Sequence, residues 1–521
     1  MPESTAPSHP HVNPWIVAVA VMCCTFMEVL DTTVVNVSLP HIAGNLSATI
    51  DESTWVLTSY LVANAIILPM TGWLATFFGR KRFLMTSVAG FTVASLFCGL
   101  APTLETLIFF RVVQGATGGA LQPISQAVLL EAFPPHERGK AMGFWGLGIV
   151  VAPILGPVLG GWLTDSYSWR WVFYINLPVG IVSLVMTQMF LFDPPYLKRV
   201  IERIDYRGIL LLVLGIGALQ VLLDKGQEED WFASDWMTFL AVLSAVAIVV
   251  FLVVELREEH PIVDLQVFRD RTYATGVALM GMVGFVLYGS LVLLPIMLQT
   301  LLGYPALQAG LAMAPRGLGA FIGMPVSGNL TGRVDPRKLI AIGLVSTAVT
   351  MFWLAGLNLE AGYWDIFWPQ LLQGVSLSLI FVPLTTVSMD PIPKEKLGNA
   401  TSLFNVMRNI GGSVGIAVTG TILVRRRQTY TSIMSARVTA YDPAARAALE
   451  AARNLFVSRG SDTVTATQRA TAAIFGNVVR QAGMVAFVGI FRLLGVMFLV
   501  LLPLLLLMTR PHGRPVPGPE A

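Results

Sequence analysis

Charge is scarce in this sequence: only 12% of its 521 residues are Asp, Glu, Lys or Arg, against 55% hydrophobic, and the formal net charge is +3. Soluble domains carry roughly 25% charged residues. A mean hydropathy of +0.69 therefore excludes an ordinary soluble enzyme and predicts an all-α polytopic membrane protein. Cysteine is nearly absent, and Cys23, Cys24 and Cys98 all fall within apolar runs, which offers neither a disulfide framework nor a metal cluster. Histidine is equally sparse, with six residues at positions 9, 11, 41, 136, 260 and 512. Such scatter speaks against the clustered side chains a membrane enzyme needs, and neither metal nor organic cofactor is expected. No basic run is interleaved with aromatics, so nucleic acid is not an expected partner. No Lys or Arg precedes Trp15, and the apolar run that follows carries two acids and is too long for a signal-peptide core, so it reads as a retained first span.

What is present is hydrocarbon in helix-length pieces. Apolar windows of about 18 to 28 residues, enough for a helix to cross a bilayer, begin near Pro14, Ser53, Phe83, Glu105, Gly139, Trp171, Tyr206, Trp236, Thr272, Leu307, Lys338, Trp364, Gly398 and Gly483, which predicts fourteen spans. With the N-terminus inside, alternate short loops hold Arg80, Lys81 and Arg82, then Arg138 and Lys140, then Lys198, Arg199, Arg203 and Arg207, and so on to Arg510 and Arg514 in the tail; the opposite short loops hold only Arg170 and Lys225. This positive-inside asymmetry predicts cytoplasmic termini. The expected organisation is a tail over 1–13, a six-helix half over 14–192, a linker with two extra membrane helices over 193–271, a second six-helix half over 272–509 with an extracytoplasmic segment at 425–480, and a tail over 510–521. The Ala-rich stretch from Pro443 to Leu455 is expected to be helical.

The two halves repeat each other. Pro69-Met70-Thr71-Gly72, followed by Arg80-Lys81-Arg82, matches Pro325-Val326-Ser327-Gly328, followed by Pro336-Arg337-Lys338, at an offset of 325 − 69 = 256. Gln114-Gly115 matches Gln373-Gly374, and Gly139, Ala141, Gly156 and Gly161 match Gly398, Ala400, Gly415 and Gly420, at 373 − 114 = 259. Parallel repeats of this kind belong to a transporter architecture whose substrate site lies at the midplane between the halves.

Within the spans, charges stand out. Four arginines, Arg111, Arg316, Arg408 and Arg492, fall inside predicted helices, and Glu28 and Asp31 sit three residues apart in the first. An ionisable group in hydrocarbon is a functional hypothesis by default. Asp31 and Arg111 lie at comparable depth; a cation beside an acid favours its ionised form, and separation or burial favours the neutral one. A conformational change that alters the pair would then move a proton, although a static buried ion pair fits the same residues. Glu28 reads as a second proton site, as a recognition group for cationic compounds, or as a neutral hydrogen-bonded residue without a role. Polar, Met and aromatic residues spread over facing spans, namely Asn36, Gln122, Gln126, Trp145, Met282, Tyr288, Gln370, Gln373 and Asn405, form the candidate substrate cavity, since polyspecific pockets combine pliable apolar surface with few fixed polar groups.

Several strings resemble the major facilitator superfamily, and within it the fourteen-helix drug:proton antiporters of the EmrB/QacA type, with Leu219-Gln220 to Asp230-Trp231-Phe232, Trp169 to Pro178 and Phe381 to Thr386 nearest the EmrB side. Leu30 to Pro40 resembles the first-helix motif, Gly72 to Arg82 with Gly79, Arg80, Lys81 and Arg82 the loop between helices 2 and 3, Arg111 to Gly115 the fourth-helix motif, and Gly148, Ala152, Pro153, Gly156, Pro157, Gly160 and Gly161 the fifth-helix antiporter motif. The loop departs from the wider pattern, with Thr76 where an acid usually stands; its cations read as topology anchors or as a binding site for anionic lipid. The resemblance implies proton coupling through Asp31 and Arg111, with Arg408 at the place on span 13 that matches the fifth-helix motif. It further implies export of small lipophilic, cationic or uncoupler-like drugs in exchange for protons. A bacterial inner membrane, a periplasmic adaptor (membrane fusion protein) and an outer-membrane channel also follow from it. An importer or facilitator on the same fold is the rival that the fifth-helix motif disfavours.

Overall fold

The computed structural model describes residues 13–193, 205–439 and 441–508; the expected terminal tails and the loop basic residues Lys198, Arg199, Arg203, Arg510 and Arg514 lie outside the described residues. The described chain is helical: α1 (Pro14–Asn45), α2 (Ile50–Phe78), α3 (Arg80–Leu100), α4 (Leu104–Gly118), α5 (Leu121–Ala132), α6 (Arg138–Ser166), α7 (Trp171–Tyr174), α8 (Asn176–Phe190), α9 (Tyr206–Lys225), α10 (Asp235–Glu255), α11 (Arg271–Thr300), α12 (Ala306–Thr331), α13 (Pro336–Leu354), α14 (Tyr363–Met389), α15 (Leu397–Arg437), α16 (Pro443–Ser458) and α17 (Thr463–Val500). Helix entry is set by local chemistry. Thr49 and Glu52 form a reciprocal capping box ahead of α2, with Thr49 N donating to Glu52 Oε2 at 2.8 Å and Glu52 N donating to Thr49 Oγ1 at 3.2 Å. Asp335 and Asp442 cap α13 and α16, each with a proline at the first helical position. Gly79 ends α2 at φ +88°, a left-handed turn that glycine adopts without a Cβ penalty.

Among the described residues twelve helices are long and apolar enough to cross a membrane, two fewer than the fourteen predicted. The fourth predicted span is broken after Gly118 into α4 of 15 residues and α5 of 12. The tenth, α12, has 26 residues but is not one of the twelve, because Gln308, Arg316, Ser327, Asn329 and its glycines dilute its apolar character. The predicted outer segment also differs. α15 runs unbroken for 41 residues through Arg425, and α17 runs for 38 from Thr463, well before the predicted start at Gly483. At 1.5 Å per residue each is about 60 Å long, twice the hydrocarbon thickness of a bilayer. Both therefore project beyond it, with α16 between them. That helix extends three residues past the predicted Leu455, to Ser458.

Helix packing follows the sequence repeat. α1 lies on α6 as α11 lies on α15; α2 on α4 as α12 on α14; α3 on α8 as α13 on α17. The crossings between the two sets exchange in the same way, α6 with α12 and α15 with α2. Glycine makes these contacts close, and it changes partner along α6. A Cβ on Gly139 or Gly143 would stand 2.7 Å from the carbonyl oxygens of Gly328 and Met324 on α12, whereas one on Gly160 would stand 2.8 Å from the Val34 carbonyl on α1. Gly72 on α2 similarly meets Asn399 Cα at 2.6 Å. The crossings between the two sets, at Gly139, Gly143 and Gly72, lie at the end of the molecule that carries Arg80, Arg138 and Lys396, the basic end. Thr401 Oγ1 donates to the Pro123 carbonyl there at 3.0 Å, and Arg138 stands 4.0 Å from Asp390. Toward the opposite end Gly310 and Gly420 have nothing within 4 Å of a built Cβ.

The two extra helices α9 and α10 pack on one another and set α9 against both α2 and α15. Thr58 on α2 donates to Asp224, and Lys225 donates to Thr54. On the other side Gln220 Nε2 donates to Ser413 Oγ at 3.1 Å, and Trp231 Nε1, just past α9, donates to Thr421 Oγ1 at 3.0 Å.

Candidate functional site

Asp31 is fully buried at the centre of the first helix set. Burying a carboxylate costs several kcal/mol unless its charge is matched and its lone pairs are filled, and here both conditions are met by three side chains from two other helices, α4 and α8. Arg111 Nη1 on α4 donates to Asp31 Oδ2 at 2.6 Å. Gln114 Nε2 and Asn176 Nδ2 donate to Oδ1 at 3.0 and 2.7 Å. The guanidinium is held in turn: its Nε donates to the Val56 carbonyl at 2.9 Å, Nη1 also donates to Gln114 Oε1 at 2.8 Å, and its carbon lies 4.1 Å from the centre of the Tyr60 ring. Asn176 also donates to Ser95 Oγ at 3.1 Å. The predicted pair thus stands inside a five-helix cage. Asn176, Ser95 and Tyr60 are not among the site residues expected from the sequence, where Asn176 enters only within the family-like run Trp169 to Pro178; its signal is a polar place in an otherwise aromatic and apolar run.

Glu28, one turn earlier on α1, faces differently. Asn64 Nδ2 donates to its Oε1 at 3.0 Å and Gln122 Nε2 to its Oε2 at 2.6 Å. Gln122 Oε1 in turn accepts from Arg408 Nη2 on α15. One carboxamide therefore links an acid of the first helix set to a cation of the second. Nearby, Asn405 Nδ2 donates to Gln126 Oε1 at 2.6 Å, again across the two sets, and Trp145 Nε1 donates to Thr25 Oγ1 at 3.0 Å while its ring stacks on Phe381.

Hydrogen bonds and ring contacts join the nine candidate cavity residues only in part. Gln122, Gln126, Trp145 and Asn405 gather where α1, α5, α6 and α15 meet. Gln370 and Gln373 form a pair of their own on α14, with Gln370 Nε2 donating to Gln373 Oε1 at 3.2 Å. Asn36 is exposed and bonded to its own helix through the Thr32 carbonyl, and Met282 and Tyr288 are half-buried on α11, where Gly412 leaves room for the Tyr288 ring. The antiporter-motif glycines bear on the acid's own helix: Gly148 on Met22, Gly156 on Thr33 and Gly160 on Val34. The loop cations read as anchors or lipid ligands divide. Arg80 is buried and paired with Glu131 on α5, Lys81 Nζ donates to the Gln188 carbonyl at 2.6 Å, and Arg82 is exposed. The acid absent at Thr76 is supplied to Arg80 by another helix, so Arg80 is not a surface ligand for lipid. Of the remaining arginines, Arg316 is buried and Arg492 exposed.

Comparison with known proteins places this geometry among transporters. A family model described as the Major Facilitator Superfamily matches residues 21–416. The chain is 38% identical over 500 residues to the multidrug export protein EmrB of Escherichia coli, covering 96% of each. It is 40% identical over 430 residues to EmrB of Haemophilus influenzae, covering 82% of this chain and 84% of the relative. Against the fatty acid resistance protein FarB of Neisseria gonorrhoeae it is 39% identical over 488 residues, 93% and 94% of the two chains. Among solved structures, the human organic anion transporter MFSD10 (TETRAN) matches the fold with a TM-score of 0.61 at 14% identity, over 95% of this chain and all of the other.

Proposed function

This chain belongs to the Major Facilitator Superfamily, and from that premise we propose that it is a proton-coupled multidrug efflux antiporter, exporting lipophilic, cationic or uncoupler-like compounds by alternating access between its two six-helix halves. The observation that carries the proposal is the Asp31 cage. Its carboxylate is satisfied by Arg111 and Gln114 on α4 and by Asn176 on α8, so any movement of α1 relative to them removes donors and favours protonation of the acid. α1 is also the helix on which the glycine face of α6 rides. Rearrangement of the two halves is thereby tied to the proton. The basic end faces the cytoplasm by the positive-inside rule, and its closed glycine crossings make this arrangement the one shut toward the cell interior.

The cell location is a bacterial inner membrane, with both termini cytoplasmic. The projecting ends of α15 and α17, with α16, then stand on the periplasmic side, where they meet an adaptor of the membrane-fusion type and through it an outer-membrane channel. The chemistry belongs to the proton gradient and asks for no cofactor.

The test is substrate-induced proton release from the purified protein. Asp31→Asn and Arg111→Ala abolish it, and Glu28→Gln reduces it; unchanged release in Asp31→Asn would sink the reading. Outward dye movement in proteoliposomes under an inward proton gradient separates an antiporter from an importer on the same fold.

A further inference from the structure

The second helix set contains a copy of the carboxylate cage from which the carboxylate is missing. Gly115 packs its α-carbon onto the Tyr60 backbone, and Gly374 packs onto the Arg316 backbone in the same manner. The offsets, 374 − 115 = 259 and 316 − 60 = 256, are those of the sequence repeat. One turn on, Gly119 meets the Asn64 carbonyl as Ser378 Oγ meets the Ala320 carbonyl at 3.5 Å. Arg316 therefore holds the position of Tyr60, and Gln370 and Gln373 hold those of Arg111 and Gln114. Cation and neutral residue have traded helices, and the donor set, a guanidinium with two carboxamides, is kept.

In the first set those donors close on Asp31. In the second, Arg316 is 6% exposed, its Nη2 is buried without a hydrogen-bond partner, and so is Gln370 Oε1. Helices α11–α15 and α17 contain a single carboxylate, Asp365 in the first turn of α14. Arg111 has Asp31 and Arg408 has Gln122, but Arg316 makes neither an ion pair nor a side-chain hydrogen bond among the described residues. A guanidinium stays charged, and one buried without a counter-charge is unfavourable. The described residues offer it no acid, so an acid from outside would complete the site. α12 also borders the interface between the halves, since Met324 meets Gly143 and Gly146 of α6.

We infer that Arg316, with Gln370 and Gln373, is the binding site for the carboxylate or phenolate of a lipophilic organic anion carried by the transporter. The site is the counterpart of the Asp31 cage, with substrate in place of the protein's acid. This rests on the exporter reading and places recognition of an acidic substrate's charge in the half opposite the proton site. A ligand of this kind places its chain in apolar surroundings and its charge on a desolvated fork, which a bidentate guanidinium suits better than an ammonium.

The experiment is equilibrium binding of decanoate, methyl decanoate and ethidium to the full chain in nanodiscs, for wild type, Arg316→Gln, Arg316→Lys and Gln370→Leu. Arg316→Gln is expected to weaken decanoate by at least about tenfold, the order of one charge-assisted hydrogen bond, and to leave methyl decanoate and ethidium within about twofold. Arg316→Lys recovers part of the loss, and Gln370→Leu weakens decanoate alone. Equal loss for all three probes in a variant with unchanged melting temperature would show a structural role and overturn the assignment. So would undiminished decanoate binding, or displacement of decanoate by chloride at equal concentration, which would mark an inorganic counter-ion. Failure of wild type to move ethidium out of proteoliposomes would remove the exporter reading while leaving the binding result standing.

Discussion

At the scale of single residues, the molecule is governed by the rule that a charge inside hydrocarbon must be answered. That rule made Asp31 and Arg111 visible in the sequence, because each alone would be costly and the two lie at one depth. It made Asn176 invisible: a neutral amide inside a helix is inexpensive, and its value comes from a contact with Asp31 145 residues away in sequence. Asn176→Leu removes one of three donors to the carboxylate, a loss of about 1.5–3 kcal/mol for a bond to a charged group. Proton-coupled transport in proteoliposomes should fall by about tenfold or more with folding retained. Asn176→Asp sets a second acid beside the first and should fall further. Transport at wild-type rate in both would remove Asn176 from the cage. Glu28 shows the opposite limit of legibility: its burial was readable, but its link to Arg408 through Gln122 depends on two helices from different halves meeting, which no local pattern encodes.

At the scale of helices, the repeat was legible because glycines at fixed offsets mark where backbones touch, and the same glycines form the crossings in the structure. The break after Gly118 was not, since α4 and α5 together carry a continuous apolar pattern; in the structure α2 crosses them there, against Gly115 and Gly119. The crossings also make a directional prediction. Gly72→Leu and Gly143→Leu put side chains where a Cβ alone would be 2.6 and 2.7 Å from Asn399 Cα and the Met324 carbonyl, so the basic end cannot close as it does here. Thiol labelling of Ser402→Cys, whose native side chain bonds the Leu68 carbonyl across this crossing, should rise several-fold in both, and transport should be lost. Gly310→Ala and Gly420→Ala, where space is open, should label and transport as wild type does; the same labelling in all four variants would contradict a closed basic end.

At the scale of the whole molecule, the membrane-spanning part and the projecting hairpin are separable. The ends of α15 and α17 and the intervening α16 bury little: α16 has no buried residue at all. Deleting 438–462 and joining the two long helices by a short flexible linker should leave ethidium transport by the purified protein within about twofold. In cells it should abolish drug resistance, the outcome that the proposed adaptor contact predicts. Loss of transport in vitro would instead assign the hairpin to the transport cycle. The inserted pair α9–α10, opaque in the sequence because it has no counterpart in the repeat, has a consequence for how the protein sits among lipids. A pseudo-twofold body has two lateral seams, α2–α15 and α6–α12. Through Asp224, Lys225, Gln220 and Trp231, the insert is fastened over the first, while the second carries no inserted helix among the described residues. The perimeter is therefore one-sided: an oily solute drifting in the bilayer meets a clad wall on one flank and a bare joint on the other.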